Sequence, residues 1–194
     1  MPHPDFNPPG KFVKLTGRTS TLTGLFVVTL TPYIPPTAHE VDEALSILGM
    51  TRGHCVCAYC GGVKTEWDHF RPTVSGKAPT GFITEIANLV PSCGRCNQSK
   101  SGAYWREWIN GGAKKSPRTL KVPGLDEKVA RLDEFEVWRK PTKVNYEKLV
   151  EADVWAKHWK YHADILRMLS RAESHAQDLR KNIEKKVKGR RRAG

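Results

Sequence analysis

Residues 57–60 read Cys-Ala-Tyr-Cys, residues 68–69 read Asp-His, and residues 88–100 read Asn-Leu-Val-Pro-Ser-Cys-Gly-Arg-Cys-Asn-Gln-Ser-Lys. This stretch decides the fold. A Cys-x-x-Cys turn presents two thiolates to one ion, and zinc takes four such ligands in a tetrahedron. Cys57 and Cys60 form one knuckle, and Cys93 and Cys96 form the other. The loop of roughly thirty residues between the knuckles is longer than a minimal zinc ribbon and leaves room for a hairpin with other chemistry. A redox dithiol fits poorly, because two pairs would be redundant and no thioredoxin-like βαβ pattern surrounds them. Cys55 is left over and reads as buried or incidental, and His54 is a weak further candidate ligand. Folding of the region is expected to depend on the metal.

Between the knuckles, Thr65–Phe70 alternates like a strand and Pro72 ends it. Neighbours on a strand point to opposite faces, so Asp68 and His69 diverge unless the strand bends there. Residues 88–93 read as the returning strand, and the second knuckle leads into a helix that begins around Cys96. Asn97 lies one residue past a zinc ligand, which fixes its position. Asp68 and Asn97 offer two oxygens of the kind that magnesium prefers. Taken singly, each residue also has a structural reading: His69 as a core histidine, Asp68 as a turn residue, Asn97 as a helix cap.

The pattern Cys-x-x-Cys, Asp-His, Asn, Cys-x-x-Cys-Asn-x-x-Lys resembles the HNH nucleases, in the subgroup with a four-cysteine zinc site. The resemblance covers about residues 54–109. It implies an α+β fold with a ββα-metal core stapled by structural Zn2+ on Cys57, Cys60, Cys93 and Cys96. It implies that His69 is the general base, that Asp68 is a ligand of a catalytic Mg2+ or Mn2+, and that Asn88 orients the site and ties down its loop. Asn97 stands where the third signature residue, often His, would bind metal, which makes this an H-N-N variant. A neutral oxygen there suits magnesium or manganese better than a soft transition metal. Arg71, Arg95 and Lys100 are nearby candidates to hold phosphates. The expected reaction is phosphodiester hydrolysis, for which an imidazole can take a proton from water near neutral pH.

The rest of the chain is read from composition and pattern. Its 194 residues are 39% hydrophobic and 27% charged, ordinary for a soluble globular protein. The net charge of +12 favours a polyanionic partner. The charge thickens in Lys181, Lys185, Lys186, Lys188 and Arg190 to Arg192, either a solvated end or a phosphate-attracting one. No run is apolar and long enough to span a bilayer. The first residues lack the pattern of a secretory signal, which gives a cytoplasmic expectation.

Three segments are expected: an amino-terminal arm, strand and helix over 1–53, a zinc-bound nuclease core over 54–112, and a basic loop with carboxy-terminal helices over 113–194. Residues 1–10 read as an extended, proline-rich arm. Residues 24–30 read as a buried strand from their β-branched content. Thr37-Ala-His-Glu40 is a capping box that opens a helix running to about Leu48 and stopped by Gly49. A short helix is expected within 102–109, and another over Leu125–Trp138, ended by Pro141. A long helix is expected from about 145 to 188, with Trp155, Trp159, His162, Leu166, Leu169, Ala176, Ile183 and Val187 as a stripe that packs on the protein's own core or, as the alternative, on a second copy of the same helix.

The functional expectation is a DNA endonuclease, in particular a site-specific type II restriction enzyme that cuts double-stranded DNA as a homodimer. The Lys114–Lys121 loop or the amino-terminal arm could enter a groove. The alternatives are a nicking or homing-type nuclease, an HNH toxin with an immunity partner, and a non-catalytic zinc-ribbon DNA-binding module.

Overall fold

The computed structural model describes residues 13–193, with the side chains of 190–193 left aside. The arm expected over residues 1–10 lies outside the described residues. Chain contacts divide the fold into two compact units, one of residues 27–146 and one that combines the chain before residue 27 with residues 147 onward.

The 27–146 unit is mixed α and β. Helix α1 (Thr19–Val28) belongs to the other unit but for its last two residues, and here α2 (Ala38–Ile47) is followed by strand β1 (Glu66–His69). A two-residue hairpin follows, β2 (Val74–Ser75) and β3 (Ala78–Pro79), then strand β4 (Leu89–Ser92). Helices α3 (Gly94–Lys100), α4 (Trp105–Asn110) and α5 (Leu125–Trp138) complete it. β1 pairs antiparallel with β4 in the register Glu66 with Ser92, Trp67 with Pro91, Asp68 with Val90 and His69 with Leu89. The ladder thus ends at residue 69 on one strand and starts at residue 89 on the other. β4 runs directly into α3, with Cys93 as the N-cap residue between them.

α2 begins as its sequence dictates. The Thr37 hydroxyl accepts from the Glu40 amide, and the Glu40 carboxylate accepts from the Thr37 amide at 2.9 Å. Gly49 follows its end at φ +69, a conformation that side chains resist. A Cβ there would also strike the Arg131 guanidinium. α5 keeps its expected bounds and turns Leu125, Leu132 and Phe135 inward. Arg139, just past its end, pairs with Glu40 and Glu43 of α2.

The core forms where these elements meet. Phe70, the residue after β1, stacks on Trp105 with ring centroids 5.1 Å apart and meets Phe135 edge-on at 5.3 Å. Tyr59 packs edge-on against Trp108 at 5.1 Å. Trp105, Tyr59, Phe70 and Phe135 are all fully buried. Aromatic burial on this scale anchors the end of β1 against α4 and α5.

The strand expected over residues 24–30 is a correction: residues 19–28 are helical. Their buried positions, Thr23 and Val27, lie four residues apart, while Leu25 and Val28 are exposed. An unbroken apolar run of this length cannot distinguish strand from helix by periodicity alone. Two threonine hydroxyls also bond back into the helix, Thr23 to the Thr19 carbonyl and Thr31 to the Val27 carbonyl. Threonines in this role turn their polar group onto the backbone and remain compatible with helix.

In the other unit the expected long helix is split. α6 (Tyr146–Leu149) precedes α7 (Ala152–Ala193). The Phe26 ring meets His158 and His162 at 5.0 and 5.1 Å, and the Thr23 hydroxyl lies 2.9 Å from His162 Nε2. The Leu15 and Thr16 amides reach the Glu173 carboxylate. The expected stripe is packed only in this first half. Ile183 and Val187 are about half exposed. No helix among the described residues is long and apolar enough to cross a membrane.

Candidate active site

The first knuckle is shaped by its own backbone. The Gly61 amide bonds the Cys57 carbonyl at 2.7 Å, and the Cys57 amide bonds the Gly62 carbonyl at 2.7 Å. This turn needs Gly61 at φ +73. The Ala58 amide then bonds Pro91 O at 2.8 Å, which docks the knuckle on β4 just ahead of the second pair. The second knuckle opens α3.

The four sulfurs of Cys57, Cys60, Cys93 and Cys96 lie within 4.8 Å of one another. Cys60 and Cys93 sulfurs are 3.8 Å apart. Tetrahedral zinc with bonds of about 2.3 Å sets its sulfurs about 3.8 Å apart, so the cluster fits a zinc site. Cys57 and Cys96 are buried in the core, and without a cation their neighbouring thiol groups and burial push both upward, Cys57 to about 11. Cys60 is held low by hydrogen bonds from Cys57, Cys96 and the Gly62 amide. A dication among them would favour the thiolate form, which metal ligation requires. Cys55 and His54 stand outside the cluster; the Cys55 thiol faces the Thr51 carbonyl.

Asp68 and His69 occupy the last two positions of β1 and use different partners, as strand alternation requires. The Asp68 carboxylate is 4% exposed. Its Oδ2 accepts from the Tyr59 hydroxyl at 2.7 Å and pairs with Lys100 Nζ at 3.1 Å. Both contacts fall on one oxygen, and Oδ1 carries none among the described residues. Burial pushes the Asp68 carboxyl up, opposed by Lys100 and then by the Tyr59 hydrogen bond. His69 Nε2 lies 2.8 Å from the Thr84 hydroxyl. Burial, and then the positive charge of Lys100, push His69 below the ordinary histidine value, so its ring is neutral at pH 7.

Asn88 is fully buried and works as a tie. Its Oδ1 accepts from the Arg71 amide at 2.7 Å, and its Nδ2 donates to the Arg71 and Ile83 carbonyls at 3.1 and 3.0 Å. Its own carbonyl accepts from the Phe70 amide at 2.8 Å. The chain just past His69 is therefore locked to the segment that leads into β4. Asn97 sits half-buried on α3, and its amide bonds the Cys93 carbonyl at 3.1 Å. Its carboxamide makes no hydrogen bond among the described residues.

The three basic residues expected to hold phosphates are placed differently from one another. Lys100 is 1% exposed, and its ammonium bonds the His69 carbonyl at 3.0 Å as well as Asp68. It is an internal strut and does not face solvent. Burial pushes it down, against the pull of the Asp68 charge. Arg71 pairs with Glu136 of α5, and its guanidinium lies over the Tyr104 ring, 4.5 Å from the centroid. Arg95 is exposed, and the neighbouring Cys60 sulfur pushes its guanidinium up.

Tyr59, Thr84 and Glu136 are the residues that sequence reasoning missed. Tyr59 stood in view between two cysteines, and its place there could have drawn notice. Thr84 carries no sequence signal, since its hydroxyl meets His69 only through the fold. Glu136 looks like one more charge on an amphipathic helix, yet it accepts from Trp105 Nε1 and the Tyr104 hydroxyl as well as Arg71.

Comparison with known proteins adds one relative. The chain is 34% identical over 85 residues to the CRISPR-associated endonuclease Cas9 of Corynebacterium diphtheriae. The match covers 36% of this chain and only 8% of that protein's length. No protein-family model and no solved structure matches the chain.

Proposed function

We propose that this protein is a metal-dependent DNA endonuclease of the ββα-metal type. The observation that carries the reading is the placement of the expected groups on one short path of chain. Asp68 and His69 end β1, β4 returns beside them, and α3 follows with Asn97, the whole resting on the four-thiol cluster. Two oxygens of that set, Asp68 Oδ1 and that of the Asn97 carboxamide, are left without protein partners among the described residues. The printed name of the Corynebacterium relative, an endonuclease, supports the same class.

Asp68 and Asn97 would hold a divalent Mg2+ or Mn2+, an all-oxygen pair suited to a hard ion. Such an ion, when bound, stabilises charge on the phosphate and on the leaving oxygen. His69 takes a proton from the attacking water. Its depressed basicity keeps the ring neutral and ready to accept that proton at pH 7. Asn88 fixes the backbone that follows the base. Lys100 and Tyr59 hold Oδ2 of Asp68, which leaves the other oxygen for the ion. Exposed Arg95 is the one member of the expected basic set that is available to a phosphate. The net charge of +12 draws the nucleic acid in.

Within this class we favour a site-specific enzyme on double-stranded DNA that acts as a homodimer, since cutting two strands calls for two active sites. The test is digestion of a sequenced supercoiled plasmid with magnesium, by wild type and by His69→Ala. Wild type should linearise the plasmid, and the variant should lose about 10²–10⁴ in rate. Binding without breakage would replace the enzyme reading with a zinc-ribbon binding module. Discrete fragments support site specificity, nicked circles support a single-strand cutter, and a smear supports a toxin.

A further inference from the structure

Thr84 is pinned by its backbone and has a hydroxyl left over for one purpose. Its amide donates to the Pro32 carbonyl at 3.0 Å, and its carbonyl accepts from the Ile34 amide at 2.9 Å. Those two bonds clamp residue 84 to the segment ahead of α2 and owe nothing to the side chain. The hydroxyl has a single hydrogen-bond partner among the described residues, the His69 ring, at 2.8 Å. On the other edge of that ring, Nδ1 has no protein partner among the described residues.

We propose that Thr84 is the positioning residue of the general base, accepting a hydrogen bond from His69 Nε2–H so that the lone pair is held on Nδ1. This rests on the endonuclease reading given above. A neutral imidazole carries one proton, and the partner of one nitrogen decides which nitrogen is free. With the proton on Nε2, Nδ1 is the atom that receives the water proton. The hydroxide oxygen then bonds to phosphorus, the bond to the leaving oxygen breaks, and that oxygen takes a proton from solvent. The imidazolium so formed keeps its Nε2–H on Thr84 and gives up the Nδ1 proton to solvent before the next turnover. The opposite arrangement, with the threonine hydroxyl donating to Nε2, would put the proton on Nδ1 and block the base.

The test uses the whole 194-residue chain loaded with zinc. A long-range proton–nitrogen spectrum of the wild type should show His69 protonated on Nε2, and a ring protonated on Nδ1 overturns the proposal. Thr84→Val keeps the shape and the backbone clamps but not the acceptor. It should lower kcat on plasmid about ten- to hundredfold, the size of effect that loss of an orienting partner has on metal-ligating histidines. KM, zinc content and melting temperature should stay as in wild type. Thr84→Ser should restore most of the rate, which a purely steric role would not predict. A valine variant with wild-type kcat and an unchanged ring tautomer overturns the proposal, as does a folded serine variant as slow as the valine one. Failure of the endonuclease reading looks different. Wild type would then not cut at all, while the ring spectra of wild type and the two variants would still decide whether Thr84 sets the tautomer.

Discussion

Tyr59 lies in sequence between two thiols of the four-cysteine cluster and donates its hydroxyl to Oδ2 of Asp68 at 2.7 Å. The first Cys-x-x-Cys knuckle thus reaches the candidate catalytic carboxylate through one side chain. Tyr59→Phe removes that hydrogen bond and preserves the edge-on contact with Trp108. A hydrogen bond to a buried charged acceptor is worth about 1.5–3 kcal/mol. Urea denaturation should show a loss of that size, with zinc content unchanged. Calorimetric titration with manganese should show weaker binding, because Oδ2 then keeps only its pairing with Lys100 and the carboxylate is less firmly oriented. Equal manganese affinity in the two proteins would remove Tyr59 from the site.

Lys100 gives a second prediction. Its ammonium is sealed between the Asp68 carboxylate and the His69 carbonyl, so its removal leaves a buried charge uncompensated. Lys100→Met should cost about 3–5 kcal/mol of stability in denaturant. Were Lys100 a phosphate contact instead, the variant would keep its stability and the salt dependence of DNA binding would flatten by about one charge. Denaturation and binding at several salt concentrations separate the two outcomes.

These residues also show what the sequence could and could not convey. The two Cys-x-x-Cys turns were legible because metal ligation imposes a local spacing, and the four thiols do meet. The capping box and the limits of α5 were legible because capping and amphipathic period act within a few residues. Residues 24–30 were not, since a short apolar run satisfies both strand and helix until its neighbours are known. Lys100 reads in sequence as a candidate to hold phosphate, because nothing local reveals that its ammonium ends on Asp68 and the His69 carbonyl. Thr84 was invisible for the same reason: fifteen residues separate it from His69, and only the fold brings them together. Short-range rules carried the scaffold, while the contacts that tune the site are long-range.

A third prediction concerns pH and the start of α2. The Thr37 amide, Arg139 and the Thr37 hydroxyl hold the Glu40 carboxyl at about 2, below its ordinary value of 4.5. A depressed carboxyl contributes stability that is fully present above the unfolded value and is lost as pH falls through the folded one. The stability gap between wild type and Glu40→Gln should therefore be constant above about pH 5. It should shrink between 4.5 and 2. Thr37→Ala, which removes the other half of the box, should cost about 1 kcal/mol at neutral pH. Denaturation curves across a pH series check both, and a gap that does not change with pH would mean that Glu40 acts without its charge.

The fourth prediction is metal dependence of the whole 27–146 unit. Cys57 and Cys96 are core residues, buried alongside Tyr59 and Trp108. Zinc loss would leave four crowded sulfurs without the ion that holds them together and would release that link between the two knuckles. Structural zinc contributes apparent binding free energies of about 10–16 kcal/mol in small zinc-finger peptides. A domain's whole stability is about 5–15 kcal/mol. The first range is as large as the second, so the unit should unfold when zinc is removed. Elemental analysis should find one zinc per chain, and it should be lost in Cys57→Ser and Cys96→Ser. A strong chelator should abolish the cooperative melting transition, and added zinc should restore it. Cys55→Ser, whose thiol stands outside the cluster, should keep both the metal and the transition. Persistence of the melt in a protein stripped of zinc would show that the aromatic core around Trp105 and Phe70 suffices to hold the fold.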